Sequence, residues 1–433
     1  MGTRRFLPLF VTQFLGAFND NLFKNALVVL LTFQAAGWTA LTPAVLANLA
    51  AGTFILPFFV FSATAGQFAD KFDKARLTRL IKLLEMGIMA LALLGFALHQ
   101  PGLLFGALFL LGLHSTLFGP IKYALLPQHL AQGELVAGNA LVEAGTFVAI
   151  LLGTLAGGLL AAAPQAGFWI GLAGLATASL GYLASRQIPP APPPAPTLAI
   201  AFNPFTETCR NIVFARKNPT VFEGILGISW FWLYGALFLA QVPAYAKVHL
   251  GGGEGTVTLL LAAFTVGIGI GSLLCERLSG GHLEVGLVPL GAIGLTLFGV
   301  DLALASPASA DLAGQGVGAV LAQPGAWRLL MDLILLGTFG GLFIVPLYTL
   351  IQSRSEVAHR ARLIATNNIL NALFMVVGAL GAAALLAGGL SIPQLFALAA
   401  TINGLVAIHL CRREPAFWHR FTAWLGQRID RGS

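Results

Sequence analysis

Charge is scarce in this chain. Of 433 residues, 9% are Asp, Glu, Lys or Arg, where soluble domains carry about 25%. With 57% hydrophobic residues, that shortage excludes an ordinary soluble domain and implies a polytopic membrane protein. Cysteine is also scarce. Cys209, Cys275 and Cys411 stand far apart, which excludes a disulfide framework and the close spacing of a metal centre. Enzyme signatures are missing too. There is no Gly-Lys-Ser/Thr phosphate loop and no His-Glu-x-x-His. His114 and His129 are followed four residues later by Phe118 and Gly133, not by the Asp of an acyltransferase. The glycine run Gly251–Gly255 has no lysine after it. The expectation is a protein that is not an enzyme, with no metal and no cofactor. The net charge of +7 is expected to report topology and contact with anionic lipid, not nucleic acid.

What the chain has in abundance is apolar runs. Twelve can be counted, at 6–33, 43–66, 76–98, 101–123, 138–161, 165–186, 219–246, 255–278, 284–305, 327–351, 363–387 and 391–411. Each is about long enough to span a bilayer as a helix. Between the sixth and seventh lies a polyproline run, Ile188–Pro196, extended and semi-rigid. After it, 202–218 mixes Phe, Ile and Val with Glu207, Arg210, Arg216 and Lys217, the pattern of a surface-lying amphipathic helix. The expected organisation is an N-terminal six-helix bundle (1–187), a cytoplasmic linker (188–218), a C-terminal six-helix bundle (219–411) and a basic cytoplasmic tail (412–433). Ser306–Ala326, whose one charge is Asp311, is expected to be an external loop.

Placing both termini in the cytoplasm puts every Lys and Arg on that side except Lys24, Lys247 and Arg328. This separation satisfies the positive-inside rule and would be scrambled by miscounting one span. A weak internal repeat adds to it. Gly119-Pro120-Ile121-Lys122-Tyr123 and Asn139-Ala140-Leu141-Val142-Glu143 have counterparts in Val345-Pro346-Leu347-Tyr348 and Asn367-Asn368-Ile369-Leu370-Asn371. Two pseudosymmetric six-helix halves with a site at mid-membrane are the plan of a secondary transporter.

The candidate site residues are ionisable or polar groups where hydrocarbon should be. The first span holds Asn19, Asp20, Asn21 and Lys24 near its middle. Such groups persist in spans mostly where they face a protein interior or a watery cavity. Asp20 and Lys24 share a helical face, where opposite charges can pair. Glu143 in the fifth span is expected to face inward, while Glu85 and Lys122 could snorkel towards the cytoplasm. Gly153 and Gly157 read as close-packing scaffold. Arg328 and Asp332 read as a local pair, and Trp230, Trp232 and Tyr234 as either pocket wall or packing. The stretch Gly66-Gln67-Phe68-Ala69-Asp70-Lys71-Phe72-Asp73-Lys74-Ala75-Arg76 resembles the cytoplasmic loop signature of the major facilitator superfamily. Gly66, Asp70, Lys71, Asp73 and Arg76 are its candidate gating residues, with a weak echo at Gly271–Arg277.

The resemblance sharpens in the N-terminal half. Phe14–Asn21, Pro120–Leu126, Gly138–Ala144 and Ala149–Gly153 together resemble the bacterial lysophospholipid transporter family within that superfamily. The resemblance implies an all-α major facilitator fold. It also implies movement of lysophospholipids, notably lysophosphatidylethanolamine, from the outer to the inner leaflet of the bacterial inner membrane. The implied partner is a cytoplasmic acyltransferase–acyl-ACP synthetase, fused or separate, that re-acylates them. It places the family's inward-facing acid on Asp20, its fourth-span lysine on Lys122 and its fifth-span Glu on Glu143. Lys24 departs from it, standing where relatives often carry an apolar residue. Two other readings stay open: a proton-coupled exporter of drugs or small metabolites in the same fold, and a non-transporting membrane anchor for the acyltransferase.

Overall fold

In a computed structural model, residues 2–33, 43–307 and 314–432 are described. Asp311 lies outside them. Long helices dominate: α1 (Leu7–Phe33), α2 (Pro43–Lys71), α3 (Lys74–Ala97), α4 (Pro101–His129), α5 (Leu135–Ala161) and α6 (Ala166–Ser185), then α8 (Pro219–His249), α9 (Glu254–Ser279), α10 (Leu287–Ala305), α12 (Ala326–Arg354), α13 (Arg360–Ala387) and α14 (Ile392–Arg413). Shorter pieces are α7 (Pro204–Ala215) in the linker, α11 (Val317–Leu321) in the 306–326 connection, and α15 (Pro415–Gly432) at the end. Eleven of the described helices are both long and apolar enough to cross a membrane. The twelfth, α1, has 27 residues but falls short in apolarity, because Gln13, Asn19, Asp20, Asn21, Lys24 and Asn25 lie along it.

Local chemistry starts these helices where it should. Asp73, in an extended conformation, caps α3 by accepting from the Arg76 N–H. Asn218 caps α8 ahead of Pro219. Ser391 and Gln394 form a reciprocal capping box on α14.

The chain divides into two compact units. The first holds residues 1–132, 145–217 and 355–372; the second holds 133–144, 218–354 and 373–433. The beginnings of α5 and α13 therefore each belong to a different unit from the rest of their helices. Within the first unit Leu22, Phe23, Ala26, Leu27 and Leu30 of α1 pack with Met89, Phe96, Leu108 and Ile170. Lipid is as apolar as such residues, so helix association in a bilayer depends on close packing and interhelical bonds. Gly153 and Gly157 supply the first: a Cβ on either would strike the backbone carbonyls of Phe18 or Leu22 on α1. In the second unit Gly267 and Gly271 of α9 meet Gly337 and Gly341 of α12 at backbone contact.

The linker is strapped to the first unit. Ala191 N–H donates to Asp73 Oδ2 (2.8 Å) and its carbonyl accepts from Lys74 N–H (3.2 Å). Ala195 N–H donates to the Asp70 carbonyl (3.0 Å). Arg79 and Gln128 donate to the carbonyls of Ile188 and Pro192, each at 3.1 Å. Gln67 exchanges two hydrogen bonds with the Ala201 backbone, at 2.8 and 3.1 Å.

Candidate functional site

The polar groups of α1 do not act as one patch. Helical geometry turns successive residues by about 100°, so Asn19, Asp20 and Asn21 face different neighbours. Asn19 is fully buried and donates to Glu85 Oε1 of α3 at 2.7 Å. Asn21 donates to the Ala17 carbonyl of its own helix at 2.8 Å. Asp20 faces α4, where Ser115 Oγ donates to its Oδ2. Asp20 Oδ1 stands 4.0 Å from His114 Nδ1, and 13% of the Asp20 side chain remains accessible.

His114 connects Asp20 to a deeper set of charges. Its Nε2 is 3.2 Å from Glu85 Oε2. Glu85 also pairs with Lys82 one turn earlier on α3, and both side chains are 0% exposed. Gly16 of α1 and Gly181 of α6 leave the space in which the Lys82 stem lies; a Cβ at Gly181 would come within 2.6 Å of Lys82 Cε. The first unit therefore brings Asp20, His114, Glu85 and Lys82 together as neighbouring charges, with Asn19 and Ser115 at their sides. Breaking a buried pair of this kind typically leaves an uncompensated charge, at about 3–5 kcal/mol.

This arrangement corrects two sequence-based expectations. Glu85 does not snorkel, and Lys82, counted above with the cytoplasmic lysines, is interior. Charge counting along the chain cannot tell a lysine in the first turns of a span from one buried against two neighbouring glycines. His114 is the member the sequence reading missed. An ionisable ring in the apolar run Leu110–Leu117 was the available signal.

Lys24 does not pair with Asp20 within ion-pair distance. Its Nζ lies 5.1 Å from the centroid of the Phe54 ring of α2, a cation–π arrangement. The one-turn spacing permitted a pair, but Ser115 and His114 draw the carboxylate towards α4. Lys122 is half-buried in the first unit, with Nζ 4.7 Å from the Tyr123 ring centroid. Glu143 is fully buried and belongs to the second unit.

The expected gating loop is mostly helix. Gly66, Asp70 and Lys71 lie on the last turns of α2, Asp73 is the cap of α3, and Arg76 lies in its first turn. No breaker stands between Gly66 and Lys71, so α2 continues until Phe72. Asp70 is fully buried, accepting the Ala361 N–H at 3.2 Å and Arg362 Nε–H at 3.0 Å. An acid on the exposed N–H groups of a helix start is favourable, and Arg362 adds a charge-assisted bond. Gly66 makes the approach possible, since a Cβ there would lie 2.8 Å from Ala365 Cβ and 2.9 Å from Arg362 Cα. Lys71 lies by the Phe72 ring at 5.8 Å. Arg76 is exposed and contributes its backbone N–H to the Asp73 cap.

In the second unit, Arg328 pairs with Asp301 of α10 and not with Asp332 of its own helix. Trp230 and Tyr234 are packing residues. Trp230 donates to Asn403 Oδ1 at 2.8 Å and Tyr234 to the Leu295 carbonyl at 2.9 Å. Among the described residues no group of three or more His, Cys, Asp or Glu is placed to hold a metal ion.

Among the described residues, twelve long helices with charges buried between them define a polytopic membrane protein. The family model of the Major Facilitator Superfamily matches residues 9–334. Folded neighbours include the transporter FucP in its outward conformation, with a TM-score of 0.72 at 13% identity, covering 95% of this chain and 100% of that one. The human organic anion transporter MFSD10 aligns with a TM-score of 0.71 at 14% identity over 95% of this chain and 100% of its own.

The chain belongs to the major facilitator superfamily, a family of transporters rather than enzymes. Among its relatives is the lysophospholipid transporter LplT of Klebsiella pneumoniae (strain 342), 31% identical over 362 residues, or 81% of this chain and 80% of that protein. The LplT of Enterobacter sp. (strain 638) is 31% identical over 351 residues, 79% of each chain.

Proposed function

We propose that this chain is a lysophospholipid transporter of the bacterial inner membrane. It moves lysophosphatidylethanolamine-like lipids from the outer to the inner leaflet by alternating access. The observation that carries the reading is Asp20, a carboxylate at the middle of α1 that keeps part of its surface accessible in a largely apolar bundle. A lysophospholipid has one charged end and one hydrocarbon chain. A sugar would ask for many hydrogen-bonding side chains, whereas this lipid asks for few charges and much apolar wall. Asp20 would take the ammonium, with Lys24 or Lys122 near the phosphate at successive stages; Glu143, in the other unit, is a separate candidate headgroup contact. Similarity to LplT over about 80% of both chains supports the substrate class. The orientation with both termini cytoplasmic rests on the distribution of Lys and Arg. A cytoplasmic acyltransferase–acyl-ACP synthetase is the partner that such a product requires.

The buried group Asp20, His114, Glu85 and Lys82 favours one second reading, a proton-coupled exporter. One experiment separates the two. Spheroplasts expressing the chain are given labelled lysophosphatidylethanolamine with and without a proton uncoupler. The lipid reading expects uptake above the empty-vector level, and expects Asp20→Ala to abolish it while the protein still inserts. Normal uptake by that variant removes the assigned role of Asp20. Absence of lipid uptake, together with uncoupler-sensitive drug resistance, favours the exporter.

A further inference from the structure

The second unit carries a groove in a part of the chain that the transport reading does not use. It holds about 530 Å³, runs between α10 and α14 and is crossed at one end by α15. That volume is within the usual range for small-molecule sites, about 300–1,000 Å³. Its wall is almost wholly apolar, with Ala292, Ile293 and Leu297 on one side and Ala407 and Ile408 on the other. From Pro289 to Leu297 it follows α10 for about 12 Å at 1.5 Å per residue. Ile293, Leu297 and Ile408 are exposed large apolar side chains, so this face of a membrane-spanning helix pair meets lipid.

The end under α15 is different in character. α15 is amphipathic: Phe417 is buried, while Trp418 and His419 stand exposed. It continues past the start of α10, where a Cβ on Gly286 would touch Phe421 N, to the end of α9, where Trp424 donates to the Leu278 carbonyl. It thus crosses the ends of three helices, as an interfacial helix with aromatic anchors does.

Three arginines gather at this corner, and two are neutralised. Arg413 pairs with Glu223 and Arg420 with Glu284. Arg412, exposed and lining the groove, has no acidic partner among the described residues. A guanidinium is a planar fork suited to phosphate oxygens. The chemistry at the mouth is therefore one uncompensated cation joined to an apolar channel at membrane depth.

We infer that this groove is a resident binding site for an anionic diacyl phospholipid of the surrounding leaflet, with an acyl chain between α10 and α14 and the phosphate on Arg412. A zwitterionic lipid fits less well, because the nearby acids that could meet its ammonium are engaged: Glu223 and Glu284 hold arginines and Glu414 accepts from Thr220 Oγ1. Basic pockets between membrane helices recognise anionic headgroups in this way.

The test uses the full chain in nanodiscs of equal parts phosphatidylglycerol and phosphatidylethanolamine with the same acyl chains. The disc is opened and lipids retained on the protein are counted by native mass spectrometry. The expected result is enrichment of phosphatidylglycerol by about fivefold over the bulk ratio, lost in Arg412→Gln and kept in Arg412→Lys. Gly404→Leu should lower retention of both lipids. A Cβ there would make ordinary contact with Thr296 Cγ2 at 3.5 Å, so the added side chain fills the groove without prising helices apart. Retention in the bulk ratio by the unmodified chain, enrichment that survives Arg412→Gln, or retention unaffected by Gly404→Leu would each overturn the assignment. Should Arg412→Gln fail to elute as a single species, loss of enrichment at high salt in the unmodified chain stands in its place, and enrichment indifferent to salt counts against the site.

Discussion

The bundle of α1, α3, α4 and α6 and the bundle of α8, α10 and α14 solve the same problem with different chemistry. Each must satisfy polar groups away from water. The first does so with ions: Lys82 on Glu85, His114 between Glu85 and Asp20. The second does so mainly with neutral groups. Trp230 donates to Asn403, whose Nδ2 donates at 2.9 Å to both the Ala292 carbonyl and Thr296 Oγ1. Neutral bonds tie helices together at little risk, each worth about 0.5–1.5 kcal/mol net. Buried ions are poor glue by comparison, because desolvation offsets much of their attraction. Where the second bundle buries an acid, Glu223, its partner Arg413 stays exposed; the first buries both Lys82 and Glu85, which marks it as the part whose charges answer to something besides stability.

The comparison can be broken most forcefully at Lys82. Lys82→Met strands Glu85 beside Asn19 and His114, and should destabilise the protein by about 3–5 kcal/mol, read as a drop in melting temperature in detergent. Adding Glu85→Leu should recover most of that loss while leaving lipid uptake impaired. Full recovery of both would make the ion pair merely structural. A second test enters the other bundle's neighbour. Gly271→Ala drives a Cβ into the Thr338 carbonyl and should cost about 1–3 kcal/mol or more, since α9 cannot withdraw without parting from α12. Asn403→Leu orphans the Trp230 indole and should cost about 1–3 kcal/mol, with uptake per folded molecule unchanged. A fall in uptake equal to that of Asp20→Ala would end the distinction between the two bundles. The smallest effect belongs to Asp73→Ala, which removes the α3 cap and should cost about 0.5–2 kcal/mol.

Much of this fold is readable along the chain. Among the described residues, twelve apolar runs become twelve long helices because hydrophobic length is a local property. Gly66 and Asp70 are readable as a contact-making pair for the same reason, with small residue and acid at fixed spacing. What is not readable is which partner each charge finds. Asp20 has Lys24 one turn away in sequence, yet bonds to Ser115, 95 residues distant. Arg328 has Asp332 one turn away, yet takes Asp301, 27 residues back. In both cases the competing group sits on an adjacent helix, and nothing in the spacing of one helix reports the rotation of its neighbour. Lys82 is the extreme case. Its burial depends on glycines at positions 16 and 181, on two other helices.

The polyproline run has a mechanical meaning. Prolines at 189, 190, 192, 193, 194 and 196 remove N–H groups and leave a ribbon of acceptors. Donors of α3 and α4 seize that ribbon at Ile188 and Pro192, and the few remaining N–H groups, at Ala191 and Ala195, return to Asp73 and Asp70. A connection of this length would ordinarily be slack rope. Here it is lashed along its course, and the chain stays in the same unit through α7 to Lys217. The linker is thus held to the first unit along almost its whole length. Residues inserted within 188–201 would disturb the lashing, whereas residues inserted at the Lys217–Asn218 junction would be the ones that add slack.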